Sequence, residues 1–203
     1  MKLEVRELSW SETRAVPWKN GGGTTRELAL WPEDARFERG DYEWRLSAAR
    51  VEVSGAFSAF AGFERILTVT EGAGLILVHD DAAPRARLRR LEPYRFSGDW
   101  PTRAELPAGP ISDFNVILRR GVRAEVQALG IGARRWRDAL GRGHAFLHAV
   151  GGGLQARVTG EEEPFALDAG DSLWLRGLSG REELELSGTS REGAALLVAL
   201  DVG

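Results

Sequence analysis

Strict two-residue alternation, held over short runs and cut by glycine turns, constrains this chain more than any other feature. From Tyr42 to Ala49, Tyr42, Trp44, Leu46 and Ala48 fall on one face and Glu43, Arg45 and Ser47 on the other, which is the period of a β-strand. Asp113 to Arg119 repeats the pattern, with Phe114, Val116 and Leu118 opposed to Asp113, Asn115 and Ile117. The apolar runs Ile66–Thr70 and Leu75–Val78 are joined by Glu71-Gly72-Ala73-Gly74, a turn whose glycines accept positive φ. Further strand-like stretches are Leu3 to Leu8, Arg26–Trp31, Ala124–Leu129, Ala145–Val150, Leu154–Val158, Ser172–Leu175, Glu183–Leu186 and Ala194–Leu200. One short helix is expected, near Trp136–Leu140. Many short strands with Gly-rich turns predict an all-β sandwich or barrel.

The pattern also echoes itself. Ile66 to Leu75 can be laid over Ala145 to Leu154 without a gap, each an apolar strand, a glycine turn and a second strand. In the second half a turn at Leu167-Asp168-Ala169-Gly170-Asp171 feeds another strand from Ser172. With 203 residues available, the echo predicts two β-barrels of roughly 100 residues each. The expected division is 1–120 and 121–203, with exchange of a strand between the halves allowed.

Composition narrows the function classes. The chain has no cysteine, which excludes disulfides, a thiolate nucleophile, Cys-ligated zinc and iron–sulfur clusters. Its 27 basic and 30 acidic side chains give a net charge of −3, without the basic excess of a nucleic-acid binder. The basic runs Arg85, Arg87, Arg89, Arg90 and Arg134, Arg135, Arg137 read as solvated strand or loop faces. No apolar run approaches the ~18 residues of a membrane span, and the N-terminal stretch lacks an apolar signal region. A cytoplasmic chain with no membrane partner is expected. His79, His144 and His148 are the histidines, and no His-x-His pair or nearby carboxylate completes a ligand set, so no metal and no cofactor are expected. No Gly-x-Ser-x-Gly elbow is present.

Two segments hold candidate chemistry. Trp18-Lys19-Asn20-Gly21-Gly22-Gly23-Thr24-Thr25-Arg26-Glu27 places three glycines in succession. Such a loop either allows a close backbone approach or aims several N–H groups at one anion, with Lys19 and Asn20 at its rim. The Walker order is absent, because the lysine precedes the glycines. The second candidate is the polar face of Glu43, Arg45 and Ser47. It meets water on an ordinary antiparallel sheet, but in a small barrel the alternate face lines the bore. There Arg45 would clamp a carboxylate, with Arg65, Asp113 and Asn115 completing a pocket. A buried Asp113 would then need Arg45 or Arg65 as partner. Of the seven tryptophans, most are expected in the core and Trp18 beside the glycine loop is a candidate pocket wall.

The same segments resemble the HutD/Ves family. The resemblance is carried by Pro17 to Glu27, by Trp44-Arg45-Leu46-Ser47-Ala48-Ala49, by Gly55 to Arg65 including Phe60, and by Ile66 to Leu75. Phe96-Ser97-Gly98-Asp99 and Gly109 to Val116 extend it. It runs in register over the first 120 residues and is only a generic cupin-like pattern beyond Gly121. It implies a bicupin, two small jelly-roll barrels in one chain, without the usual cupin metal ligands. It also implies a link to bacterial histidine utilisation, where a role in sensing or buffering an intermediate such as N-formylglutamate is proposed, or, for Ves, to stress response. The family's shared polar positions match Lys19, Asn20, Thr25, Glu27, Arg45, Ser47, Arg65, Asp113 and Asn115.

The expected function is therefore binding of a small carboxylate or amide metabolite in the first barrel, in a regulatory role, by Trp18, Lys19, Asn20, Gly22, Gly23, Thr25, Glu27, Arg45, Ser47, Phe60, Arg65, Asp113 and Asn115. One alternative is a metal-independent isomerase or hydrolase with Asp113 or Glu27 as general base. Another is a protein-interaction module anchored by exposed tryptophans. The second barrel is expected to serve as scaffold or as the surface of a homodimer.

Overall fold

The computed structural model describes residues 2–80 and 82–201. The strands are β1 (Glu4–Leu8), β2 (Ala15–Pro17), β3 (Gly23–Trp31), β4 (Trp44–Val51), β5 (Gly55–Ala56) and β6 (Phe63–Glu71). They continue with β7 (Leu75–Val78), β8 (Ala86–Leu88), β9 (Tyr94–Ser97), β10 (Arg103–Glu105), β11 (Ile111–Arg119) and β12 (Arg123–Gly130). The last are β13 (Arg135–Ala139), β14 (Arg142–Ala149), β15 (Leu154–Val158), β16 (Phe165–Leu167), β17 (Ser172–Ser179), β18 (Glu183–Gly188) and β19 (Ala194–Asp201). Two single 3-10 turns, Trp10–Glu12 and Phe37–Arg39, complete the regular structure.

Two compact units result. One is Thr13–Val122; the other joins Met1–Glu12 to Arg123–Gly203. In the first, a sheet of order β2-β3-β4-β11-β6-β9 faces a sheet of order β5-β10-β7-β8. In the second the orders are β1-β17-β14-β19-β12 and β13-β18-β15-β16. Adding eight to each label turns β4-β11-β6-β9 into β12-β19-β14-β17, and β5-β10-β7-β8 into β13-β18-β15-β16. The chain is a bicupin, the same antiparallel barrel built twice. β2 and β3 extend the sheet of the first unit; in the second, β1 pairs with β17 from Glu4↔Arg176 to Leu8↔Ser172.

The sequence echo is real but is not gapless in its faces. On β6 the partner of Ser112 is Glu71 and the partner of Asp113 is Val69, so Thr70 is an extra, bulged residue. The bulge shifts the alternation by one. Leu67 and Val69 enter the core of the first unit, whereas the overlay equates their neighbours Ile66 and Thr68 with the core residues Ala145 and Leu147. The helix expected near Trp136–Leu140 is instead the strand β13. Trp136 packs on the core of its unit, while Arg135 and Arg137 face out and pair with Glu185 and Glu183 on β18. That is a period of two, which a five-residue window does not separate from one helical turn.

Each unit has its own apolar core. Val51, Leu67, Val69, Leu75, Leu77, Phe96 and Ile111 fill the first; Leu129, Leu147, Leu154, Leu173, Leu175, Leu184, Leu186 and Leu197 fill the second. The 96–99 motif pins the loop that precedes β6. Gly98 N–H donates to Phe63 O (2.9 Å), Phe60 N–H donates to Gly98 O (2.8 Å), and Asp99 Oδ1 accepts from Gly62 N–H (2.8 Å). A Cβ on Gly98 would lie 2.6 Å from Phe60 O and 2.8 Å from Phe63 O. Gly98→Ala is expected to destabilise the protein by roughly 1–3 kcal/mol in urea unfolding. Gly55→Ala, where nothing lies within 4 Å of the new Cβ, is the matched control and should change little.

Candidate functional site

The polar face of β4 is the inner face of its barrel. On the central strand β11, Ile117 lies between Arg45 of β4 and Arg65 of β6; Asn115 lies between Ser47 and Leu67; Asp113 lies between Ala49 and Val69. Directly opposed residues share a face. Leu67, Val69 and Phe96, which pairs with Arg65, belong to the core, so the polar set points inward with them. β3 adds Glu27 opposite Ser47 and Thr25 opposite Ala49. Exposure falls to 8% for Arg45, 2% for Ser47, 4% for Arg65, 2% for Asp113 and 9% for Asn115.

The two arginines are held differently. Arg45 Nε donates to Glu27 Oε2 at 2.7 Å, and its guanidinium lies 4.1 Å from the centre of the Phe37 ring. Among the described residues, no carboxylate lies within hydrogen-bond reach of Arg65. Its guanidinium is surrounded by Phe57, Phe60 and Phe96 at 5.3, 5.2 and 5.0 Å, an aromatic cage that stabilises a cation through the ring quadrupoles. Its N–H contacts are long: 3.4 Å to Asn115 Oδ1 and 3.4 Å to Ser58 O. Burial lowers its pKa to about 10, against the opposing field of Asp113, so it stays charged at neutral pH.

Much of this set lacks partners. Among the described residues, nothing hydrogen-bonds to Arg45 Nη1 or Nη2, to Arg65 Nη2, to Ser47 Oγ or to Asn115 Nδ2. Asp113 Oδ1 is sealed from solvent and has no hydrogen-bond partner among the described residues. Burial pushes the Asp113 carboxyl up to about 7, and the Arg65 charge opposes that rise without cancelling it. Of these atoms, Asp113 Oδ1 alone is both sealed from solvent and unpaired among the described residues, which costs roughly 1–3 kcal/mol; the other unpartnered donors keep contact with solvent.

The corresponding interior of the second unit is apolar. Ala145, Leu147, Leu173, Leu175, Ala195 and Leu197 occupy it. The buried polar residues His144, His148 and Ser172 alternate with these along their strands, and so lie on the opposite face. His148 Nδ1 pairs with Ser172 Oγ at 2.9 Å, and Trp174 Nε1 donates to His144 Nδ1 at 3.3 Å. Burial lowers both imidazoles to about 4. Among the described residues, no group of three His, Asp or Glu side chains is placed to hold a metal.

The glycine loop turns out to be self-satisfied. Gly21 N–H donates to Trp18 O (3.0 Å) and Gly22 N–H to Asn20 Oδ1 (3.0 Å), so neither amide is available to an anion. Gly23 is required by space: a Cβ there would lie 2.2 Å from Arg50 O. Lys19 and Asn20 are exposed. Trp18 closes the loop onto the barrel, donating from Nε1 to Thr25 Oγ1 at 2.7 Å and meeting Phe57 edge-on at 6.2 Å. Its link to Arg65 therefore runs through Phe57. None of the seven tryptophans is exposed, which leaves the interaction-module alternative without its anchors.

Sequence reading missed a second layer beneath Arg65. His79, fully buried, stacks among Tyr94, Phe96 and Trp100. Thr102 Oγ donates to Trp100 O (3.0 Å), so it accepts from His79 Nδ1–H (2.9 Å), and Nε2 then accepts from the Tyr94 hydroxyl (3.4 Å). Burial and the Arg65 charge both lower the His79 pKa, so this ring is neutral. Tyr42 belongs to the same neighbourhood; burial raises its pKa, and Arg45, Arg119 and Arg65 act against the rise. A lone histidine and two tyrosines far apart in sequence carry no spacing signal.

Comparison with known proteins gives the family and the fold. The sequence pattern of the HutD family matches residues 10–195. A 21.2 kDa protein encoded in the hutC 3′ region of Pseudomonas putida is 34% identical over 191 residues, 91% of each chain. The protein Ves of Escherichia fergusonii is 35% identical over 116 residues, 55% of this chain and 58% of its own. A conserved protein of unknown function from Pseudomonas aeruginosa PAO1 superposes with a TM-score of 0.85 at 35% identity, covering 98% of this chain and all of the other. HutD from Pseudomonas fluorescens SBW25, in a structure described as a formate condition, does so at 0.79 and 29% identity with the same coverage. A vicilin from Capsicum annuum, at 8% identity and a TM-score of 0.59 over 93% of this chain and 83% of its own, shares the fold alone. The chain belongs to the HutD family.

The raised Asp113 pKa has a consequence for stability. Its folded value of about 7 exceeds the ordinary 3.8, so the folded protein binds a proton that the unfolded chain has already lost. That contribution is fully present below the unfolded pKa and fades as pH rises through 7. Between pH 5 and pH 8 the loss amounts to roughly 2–3 kcal/mol. Asp113→Asn removes this term, so the difference in melting temperature between variant and wild type should be several degrees more favourable to the variant at pH 8 than at pH 5.

Proposed function

We propose that this HutD-family chain binds a small carboxylate metabolite of the N-formylglutamate type inside the barrel of Thr13–Val122, in a regulatory role linked to histidine utilisation or stress response. The observation that carries the reading is the pair of buried guanidinium groups, Arg45 and Arg65, flanking Ile117 on one inner face with three terminal nitrogens unpartnered. Arginine presents its donors in a planar fork that matches a carboxylate. Adjacent strands lie about 4.8 Å apart, so the two arginines start about 10 Å apart across β11 and converge on a ligand of a few carbons. Asn115 Nδ2 and Ser47 Oγ then offer hydrogen bonds to an amide or formyl oxygen. The aromatic rings around Arg65 and Arg45 exclude water and keep those hydrogen bonds strong. The gene position of the Pseudomonas putida relative beside hutC, and the formate condition of the Pseudomonas fluorescens structure, are consistent with this chemistry.

A metal-independent enzyme on the same pocket has one observation in its favour, the Asp113 carboxyl brought to about 7, where a general base works best. Prolonged incubation with N-formylglutamate separates the two readings: a binder returns it unchanged, an enzyme consumes it.

The direct test is thermal unfolding against formate, N-formylglutamate, urocanate, histidine and glutamate. A ligand at 100 times its Kd stabilises by about 2.7 kcal/mol, or roughly 5–10 °C for a chain of this size. N-formylglutamate is expected to raise the melting temperature of the wild type. Arg65→Leu, which keeps an apolar side chain among the three phenylalanines, should abolish the shift, and Arg45→Met should reduce it. A shift unaffected by either substitution would place the ligand elsewhere.

A further inference from the structure

Asp113 is the fully buried carboxylate of the inner polar set, and when ionised it opposes an anion. With Asp113 neutral, the buried Arg45 and Arg65 and the half-exposed Glu27 that pairs with Arg45 sum to +1; with Asp113 ionised the sum is zero. A carboxylate entering beside an ionised Asp113 would put two like charges on one guanidinium in a site with little water to screen them. The carboxyl is 2% exposed, Oδ1 is sealed and unpaired, and no hydrogen bond joins Asp113 to another of the described residues. A carboxylate meant to stay charged in a protein interior accepts hydrogen bonds; this one accepts none. The protonated form, by contrast, carries no charge to be satisfied and has a hydrogen to give to a ligand oxygen.

Resting on the carboxylate-binding reading above, we propose that Asp113 takes up one proton from solvent when the ligand binds, and in that neutral state donates a hydrogen bond to the ligand. No covalent bond is made or broken in the ligand. The proton goes to a carboxyl oxygen of Asp113, and the ligand carboxylate replaces the Asp113 charge as the counter-ion of Arg65. Asp113 thereby selects ligands with an acceptor oxygen at the floor of the barrel and makes occupancy sensitive to pH.

Arg65 is the charged group that acts on Asp113, and the other titratable groups of this interior are held away from neutrality. Arg65 on β6 keeps its proton to about 10, and Tyr94 on β9 and Tyr42 before β4 are both raised above the ordinary tyrosine value. His79, after β7, is lowered and hydrogen-bonded as the neutral ring. Arg45 on β4 is paired with Glu27 on β3. An anion placed beside Asp113 pushes its pKa from about 7 upward.

The test is isothermal titration of the full chain with N-formylglutamate in two buffers of different ionisation enthalpy, at pH 6 and pH 8. Uptake of about 0.9 proton per ligand is expected at pH 8 and about 0.1 at pH 6, with Kd rising roughly tenfold between them. Asp113→Asn, which keeps a hydrogen-bond donor, should bind with no proton uptake and a Kd that is flat over this range. Binding by the wild type without proton uptake at pH 8 would overturn the role of Asp113 and leave carboxylate binding intact. Uptake that persists in Asp113→Asn would assign the proton to another group. Absence of binding at either pH would overturn the carboxylate reading, and this inference with it. The wild-type measurement in two buffers decides the matter even if the variant does not fold.

Discussion

Two guanidinium groups enclosed in a β-barrel must be balanced by something other than bulk water, and the inner face of Thr13–Val122 is organised around that demand. Burial of an unpaired charge is among the costliest events in folding. Arg65 meets it with three aromatic rings and two long hydrogen bonds, Arg45 with Phe37 and the half-exposed Glu27. The elements that look peripheral serve these contacts. The 96–99 turn fixes the loop carrying Phe57 and Phe60, and Trp18 braces Phe57 from the glycine hairpin.

The doubled architecture supplies an internal comparison. Strand orders in the two units correspond label for label, and the second unit closes the same barrel around an interior of alanine and leucine. Fold requirements alone would therefore permit an apolar interior in the first unit. The first unit instead carries Arg45, Arg65 and Asp113 on its inner face, a departure from the local rule of the kind expected at functional sites. The polar residues buried in the second unit are satisfied by one another: His148 by Ser172, and Trp174 by His144.

Alternation along β4 and β11 made most of this legible in the sequence. Arg45, Ser47, Asp113 and Asn115 were placed on one face by parity, and barrel closure turned that face inward. Arg65 came with them because β6 is the other neighbour of β11. Parity failed where the backbone departs from it. The Thr70 bulge shifts the alternation of β6, and Trp136 sits in a stretch too short to separate strand from helix. The glycine loop was open to two readings, an amide nest or a close approach, and hydrogen bonding decided for the second. The layer of His79, Tyr94 and Thr102 gave no signal, because its members meet only through the pairing of β7, β9 and β10 with their neighbours. Phe37 and Phe96 were likewise ordinary apolar residues until the fold set them against arginine.

The central claim is that the interior of Thr13–Val122 is a carboxylate site. A crystal structure of the wild-type protein grown with N-formylglutamate at pH 6 tests it most directly. A ligand carboxylate is expected within about 3 Å of the terminal nitrogens of Arg65 or Arg45, with an acceptor oxygen facing Asp113 and Asn115. A ligand bound at the Lys19–Gly23 loop or on the outer surface, with both guanidinium groups as far from any carboxylate as before, would contradict it.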